Sequence, residues 1–390
     1  MKKSFKYNIR ANNHTFDNTE KVLDLCRTLY NLCLEQRIYH WKHHRKSISK
    51  FAQMKQLVEL KTVYPEFKQV PSQTLQDVID RLDKAYDNFF RRVRNGEKPG
   101  FPRFRGRDRY DSFTLKQAGW EIVDKKYLII PKIGRFKMKL SRPIEGDIKT
   151  VTIHKSLLGK WFACFSCDNV QSKPLPKTGK IIGIDVGCES FLTDSDGNKI
   201  DNPRFFKKSG DLLAQRQQSL ATKKRGSNNR YKAKILVAKA HDKIRNQRID
   251  FHYKTANQLV KNNDLICIEK LHNWKTFRNL NRSMRDVAWF SFFNILRFKA
   301  EDAGKEVIEA PASGTSQMCS GCGEIVPKTL DVRIHNCPHC KLSIDRDYNS
   351  ALNIKRAGQT LVAETTESPE FIRESVKAKC YTPETSKKLP

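Results

Sequence analysis

Apolar positions change period several times along the chain. From Val22 through Leu25, Leu29, Leu32, Cys33 and Tyr39 they recur at roughly helical spacing, behind an Asp17 and Glu20 pair that reads as a capping box. A second stripe, Leu75, Val78, Ile79, Leu82, Tyr86, Phe89, Phe90 and Val93, runs up to Gly96, a residue that commonly stops helices. Residues 11–95 are therefore expected to form a helical block. Between Pro99 and Arg107 prolines and glycines forbid a helix while Arg and Phe alternate, which predicts an ordered loop or a strand edge. From Phe113 to Cys167 the pattern turns strand-like, with Tyr127–Ile130, Arg135–Leu140, Ile148–His154 and Trp161–Cys167 separated by Gly, Pro and Lys turns, and predicts a small β-barrel.

Pro174 and Pro176 mark a linker over 173–180, after which strand and helix alternate. Ile181–Asp185 reads as a buried strand, followed by a hairpin turning at Asp196 and Gly197 and a long polar helical region to Asn263. Leu265–Glu269 is a second apolar strand, Trp289–Ala303 a helix and Val307–Ala310 a short strand. This alternation predicts an α/β domain. Beyond Gly358 the sequence mixes Thr, Glu, Ser, Pro and Lys with few large apolar residues, so the tail 361–390 is expected to be disordered.

Charge changes the picture. Lys and Arg number 74 against 42 Asp and Glu in 390 residues, a formal net charge of +32, and such an excess self-repels unless a polyanion neutralises it. Nucleic acid is the expected partner. No stretch reaches the roughly 20 apolar residues of a spanning helix, and no apolar core follows Met1-Lys2-Lys3, so neither a membrane role nor export is expected. Of 11 cysteines four are paired and the rest scattered, which suits a reducing cytoplasm with one metal site.

Those four are Cys319, Cys322, Cys337 and Cys340, two Cys-x-x-Cys pairs separated by 337 − 322 − 1 = 14 residues. The spacing lets four thiolates close a tetrahedron around Zn²⁺, a structural site with no open coordination position. Cys164-x-x-Cys167, without a second pair nearby, reads as packing. Asp185 and Glu269 each end an apolar strand, where α/β domains place ligands and catalytic groups. Asp345-Arg346-Asp347 precedes a helix start at Asn349, and its plainest role is capping that helix. Brought to one sheet edge, three carboxylates would hold two Mg²⁺ roughly 4 Å apart for phosphodiester cleavage.

Between the two strand-ending acids lies a helical stretch dense in cations, among them Lys223, Lys224, Arg225 and Arg230, which predicts a phosphate-binding surface. Phe101, Phe104 and Tyr110 stand among Arg103, Arg105, Arg107 and Arg109. They are suited either to stacking on bases beside phosphate-holding guanidinium groups or to packing in a strand edge.

Gly183-Ile184-Asp185-Val186-Gly187, Ile268-Glu269, Thr315–Gly323 and the run Asp345–Ile354 together resemble the TnpB (OrfB) proteins of bacterial and archaeal insertion sequences, relatives of type V CRISPR effectors. The resemblance runs to about Gly358 and omits the tail. It implies a multidomain α+β chain in which an RNase H-like (RuvC) nuclease domain, 181–313 and 341–360, is interrupted by a zinc ribbon at 314–340. A wedge-like β-barrel, 1–10 and 96–172, would carry the helical recognition block 11–95. It also implies an RNA-guided DNA endonuclease of the bacterial or archaeal cytoplasm and nucleoid. The partners would be a guide RNA from the element's own end and a double-stranded DNA target with a short adjacent motif. Carried over, Asp185, Glu269 and Asp347 are the Mg²⁺-holding catalytic acids, and Asp345 is a cap or supporting residue. The rival functions are an RNA-guided repressor that binds without cutting and an RNase H-like transposase.

Overall fold

A computed structural model of the chain describes residues 1–116, 119–271, 284, 286–311, 314–329 and 332–367. The chain divides into two units, Met1–Gln171 and Ser172–Pro390.

The first unit begins with β1 (Lys3–Arg10), passes through helices α1 (Asn13–His44), α2 (Lys50–Lys55), α3 (Leu57–Val63) and α4 (Ser72–Arg94), and returns to strands. These are β2 (Ser112–Lys116), β3 (Glu121–Val123), β4 (Tyr127–Ile130), β5 (Gly134–Lys139), β6 (Asp147–Lys155) and β7 (Trp161–Asp168). They make one antiparallel sheet in the order β2-β6-β7-β1-β5-β4-β3. The two-residue period buries Phe5, Tyr7 and Ile9 of β1 together with Trp161, Ala163, Phe165 and Cys167 of β7, in one core with Val22 and Leu29 of α1 and Leu75, Val78, Ile79 and Leu82 of α4. Each such side chain contributes on the order of 2 kcal/mol. The helices thus lie in the chain between the first strand and the rest of its sheet. The expected barrel is not closed by hydrogen bonds: among the described residues the end strands β2 and β3 do not pair.

Three local expectations resolve here. Helix α1 starts ahead of the Asp17 and Glu20 pair, because the Asn12 side chain accepts the Thr15 N–H at 2.8 Å and serves as its cap. Glu20 instead pairs with Lys155. At Gly96 the backbone turns left-handed (φ 64°) and α4 ends, as a C-terminal glycine dictates. Cys164 and Cys167 lie three apart on β7 and so point to opposite faces, which fits packing.

In the second unit β8 (Ile181–Val186), β9 (Ser190–Asp194) and β10 (Lys199–Asp201) are followed by α5 (Phe205–Lys208), α6 (Gly210–Thr222) and α7 (Asn228–Asn262). Then come β11 (Leu265–Glu269), α8 (Trp289–Ala303), β12 (Glu306–Ala310), the short strands β13 (Ile334–Asn336) and β14 (Ser343–Asp345), and α9 (Arg346–Glu367). The sheet order is β10-β9-β8-β11-β12, with β8, β11 and β12 parallel and β9 and β10 antiparallel. The hairpin turns at Asp196 and Gly197, where the Asp194 carboxylate accepts the Asp196 and Asn198 amides at 3.0 and 2.8 Å.

Both faces of this sheet are covered, which is why its central strands read as unbroken apolar runs. Ile182, Ile184, Ile266 and Ile268 pack under Ala256 and Val260 of α7 and Phe292 and Leu296 of α8. The alternate residues Leu265 and Cys267 pack with Ala310 and with Ile354 of α9 on the other side. Helix α9 runs on to Glu367, with Ala357 and Val362 against that second cluster. The expectation of disorder from 361 is therefore corrected for 361–367, and 368–390 lie outside the described residues.

The expected linker is a strap on the second unit. Lys173 and Leu175 donate their amides to the Asp302 and Ala303 carbonyls at 2.7 and 2.9 Å, and the Lys305 ammonium donates to Pro176 O at 2.6 Å. The Asp264 carboxylate accepts the Thr178 and Gly179 amides at 2.9 and 2.7 Å and pairs with Lys305. The Lys305 bond, with the two amides, holds the Asp264 carboxyl far below the ordinary carboxylate range.

Candidate functional site

Parallel pairing of β8 with β11 ends on Ile184 matched to Ile268, so Asp185 and Glu269 are the next residues on neighbouring strands, and paired strands run about 4.8 Å apart. Two acids thus leave the carboxyl edge of the sheet side by side. The third comes from α9. A Cβ added at Gly183 would lie 2.2 Å from Ala351 O and 2.6 Å from Lys355 N, and one at Gly358 would lie 2.2 Å from Cys267 Sγ. Glycine at both places lets the helix rest directly on β8 and β11. Asp347 stands one helical turn before Ala351, and Asp185 two residues after Gly183, so the contact carries Asp347 over the same sheet edge.

Electrostatics report the same convergence. Burial first, then the negative charges of Asp347 and Glu269, push the Asp185 carboxyl well above the ordinary carboxylate range, while the Arg346 guanidinium pulls the other way. Burial also raises Glu269. Arg346 donates from Nε and Nη2 to Asp347 Oδ1, both at 3.2 Å, and from Nη1 to Val332 O at 3.2 Å. Asp345 caps α9, accepting the Asp347 and Tyr348 amides at 3.0 and 3.1 Å, and pairs with Lys199 at 2.7 Å. Burial pushes the Asp345 carboxyl up, but Lys199 and the two amides outweigh it and leave the group below its ordinary value. The capping role read from the sequence therefore belongs to Asp345, not to Asp347. An all-oxygen, half-buried and mutually repelling donor set suits a hard divalent cation such as Mg²⁺.

The thiols form a tighter group. Cys319, Cys322, Cys337 and Cys340 place their sulfur atoms within 4.8 Å of one another, with Cys319 Sγ to Cys340 Sγ and Cys322 Sγ to Cys337 Sγ both 3.6 Å. Tetrahedral Zn–S bonds of about 2.3 Å put sulfurs about 3.8 Å apart, so the four fit zinc. Among the described residues the thiols are the one such group of three or more gathered closely enough to hold a metal ion, and the three carboxylates do not form another. In each knuckle the first cysteine's amide is tied back: Cys319 N to Glu324 O and Cys337 N to Leu342 O, both 2.8 Å. The amides of Cys340 and His339 bring the Cys337 thiol down to about 6, while burial and the neighbouring thiols push Cys322 and Cys340 up.

The basic candidates divide. Arg103, Arg105 and Arg107 lie exposed on an irregular segment that ends in a 3₁₀ turn, Arg107–Arg109. Asn31 pins it, accepting the Arg105 N–H at 2.8 Å and donating to Arg105 O at 3.0 Å. Phe104 is exposed, whereas Tyr110 leans on Tyr30 with its hydroxyl enclosed and belongs to the packing alternative. Lys223, Lys224 and Arg225 are exposed in the turn between α6 and α7. Arg230 is not available in the same way: its Nη1 donates to Leu220 O and Lys223 O at 2.8 and 2.9 Å and closes the end of α6. Residues that the pattern did not single out are Lys199 and Arg346, which hold the acids, and Asn349 and Asn353, which are buried on α9.

Comparison with known proteins follows this geometry. A family model described as "Probable transposase" matches residues 164–279, and one described as "Cas12f1-like, TNB domain" matches 289–354. The chain is 29% identical over 380 residues to the "Putative RNA-guided DNA endonuclease InsQ" of Escherichia coli (strain K12), covering 92% of this chain and 93% of that one. It is 30% identical over 370 residues to a "Putative RNA-guided DNA endonuclease" of Streptomyces pristinaespiralis, covering 92% and 90%. Among solved structures, one titled as a Cas12f1-sgRNA-target DNA complex has a TM-score of 0.52 at 16% identity, covers 86% of this chain and 82% of that chain, and shares its fold.

Proposed function

The chain belongs to the TnpB (OrfB) family, and from that premise we propose that it is an RNA-guided DNA endonuclease whose chemistry rests on Asp185, Glu269 and Asp347. The observation that carries the reading is the raised Asp185 carboxyl, because its causes are burial and then the two other acids named from the sequence. Mixed strands in the order β10-β9-β8-β11-β12 support an RNase H-like nuclease domain, interrupted by the four-thiol ribbon.

In this reading two rigid parallel strands fix Asp185 and Glu269, and α9 sets Asp347 across from them. Arg346 occupies one oxygen of Asp347 and orients the other. Asp185, Glu269 and Asp347 would hold Mg²⁺, which when bound would supply charge neutralisation at the scissile phosphate and a more acidic water. Zinc on the four cysteines is structural, since four sulfur ligands leave no position for substrate. The exposed cations Arg103, Arg105, Arg107, Lys223, Lys224 and Arg225 contribute to backbone contacts with guide RNA and DNA, while base pairing reads the target. Among the described residues no helix is long and apolar enough to cross a membrane.

The test is to purify the protein from its native locus, sequence the bound RNA and assay Mg²⁺-dependent cleavage of a matching duplex. Asp185→Ala should abolish cutting and leave RNA binding intact; unchanged cutting removes this residue from the mechanism. Strand-transfer products without an RNA requirement would favour a transposase instead.

A further inference from the structure

Asn349 and Asn353 are 0% and 1% exposed. Both reach the backbone of the first cysteine knuckle. Asn349 donates from Nδ2 to Met318 O at 2.8 Å and accepts the Ser320 N–H on Oδ1 at 2.9 Å. Asn353 Nδ2 donates to Thr315 O at 2.9 Å and Met318 O at 2.7 Å, and Arg356 Nη2 donates to Ser320 O at 2.7 Å. The Asn353 Oδ1 is buried with no partner among the described residues.

Residues 349, 353 and 356 follow the i, i+4, i+7 spacing of one helix face. Asp347 shares the other face with Ala351, Lys355 and Gly358, the positions that meet β8 and β11. The two sets are offset by two residues, about 200° at roughly 100° per residue, so α9 is gripped on opposite sides by sheet and knuckle.

We propose that Asn349 and Asn353 are positioning residues that tie the Asp347 helix to the backbone of the zinc knuckle, so that closure of the ribbon sets where Asp347 stands relative to Asp185. The function follows from bond direction. Four bonds from two amide side chains hold the helix against sliding along β8, and the knuckle that receives them has its own shape fixed by Cys319 and Cys322. The inference rests on the carboxylate-metal reading above, and it adds that occupancy of the ribbon tunes affinity at the acids.

The experiment compares wild type with Asn349→Ala, Asn353→Ala and the milder Arg356→Ala. Zinc content is measured by atomic absorption, Mn²⁺ binding to RNA-free protein by electron paramagnetic resonance, and cleavage against Mg²⁺ concentration. The expected result is unchanged zinc, Mn²⁺ binding weakened about tenfold or more in the two Asn variants and less in Arg356→Ala, and a matching rise in half-saturating Mg²⁺ with cleavage recovering at high Mg²⁺. Asn variants that keep zinc and bind Mn²⁺ as wild type does overturn the proposal, whatever cleavage does. Loss of zinc in every variant also overturns it, because the residues would then serve ribbon folding alone. Wild type that binds Mn²⁺ but never cuts would sink the nuclease reading and leave the clamp standing.

Discussion

Gly183→Ala is the sharpest perturbation available to the candidate site, because it alters no carboxylate. The added Cβ would lie 2.2 Å from Ala351 O, 2.6 Å from Lys355 N and 2.7 Å from Lys355 Cβ, and two of those three are backbone atoms that cannot rotate away. Restoring ordinary contact requires α9 to lift by about 1 Å, the kind of overpacking that costs about 1–3 kcal/mol. In a domain of this size that lowers the melting temperature by roughly 2–4 °C per kcal/mol. Asp347 moves with its helix, one turn away, and a displacement of about 1 Å in a catalytic group is enough for about a 10²-fold loss of rate. Mg²⁺-dependent cleavage by the RNA-bound protein should therefore fall by about that factor while guide-RNA affinity stays unchanged. Gly210→Ala, whose Cβ meets nothing within 4 Å, is the control and should cut like wild type. Cleavage by Gly183→Ala at the wild-type rate would refute the docking of α9 on β8 as the source of Asp347's position.

Three further outcomes follow from the same geometry. A carboxyl whose folded pKa lies above its unfolded one favours the folded chain while protonated, and that contribution is lost as pH rises from the ordinary value of about 3.9 through the raised one. For Asp185, raised by burial and its acidic neighbours, magnesium-free protein should lose stability across that window. Asp185→Asn should melt higher than wild type at neutral pH without magnesium and cut nothing; a lower melting point would contradict the repulsion. Asp345→Ala removes a helix cap and an ion pair, so about 1 kcal/mol of stability should go while cleavage persists, whereas Asp347→Ala should be inactive. Equal inactivity of both, measured side by side, would make Asp345 a fourth catalytic acid. Cys337→Ser should drop bound zinc from about one per chain to near none, and Cys164→Ser should leave it unchanged, as read by metal analysis.

Much of the site was legible because it depends on local rules. Ile181–Ile184 and Leu265–Ile268 are apolar throughout because both faces of their sheet are covered, and the acids that follow them stand out for the same reason. Four cysteines in two tight pairs announce themselves by spacing alone. What was not legible depends on distant partners. Gly183 and Gly358 look like ordinary glycines until α9 lies on them, and Asn349 and Asn353 look like polar helix residues until the knuckle meets them. Arg230 reads as a phosphate ligand in a basic run, yet backbone carbonyls at the end of α6 claim it. Asn12 outcompetes Asp17 as a cap because the chain leaves β1 only two residues before α1 begins. Barrel closure is a pairing between sheet ends that no strand's own pattern encodes.

The strap formed by residues 173–179 decides where this polypeptide can be divided. Its amides satisfy Asp264, and its Pro176 carbonyl receives Lys305, so a fragment starting at Ile181 would strip both of neutral partners. Anyone isolating the second unit should cut before Lys173, whose amide is already bonded to Asp302 O at the end of α8.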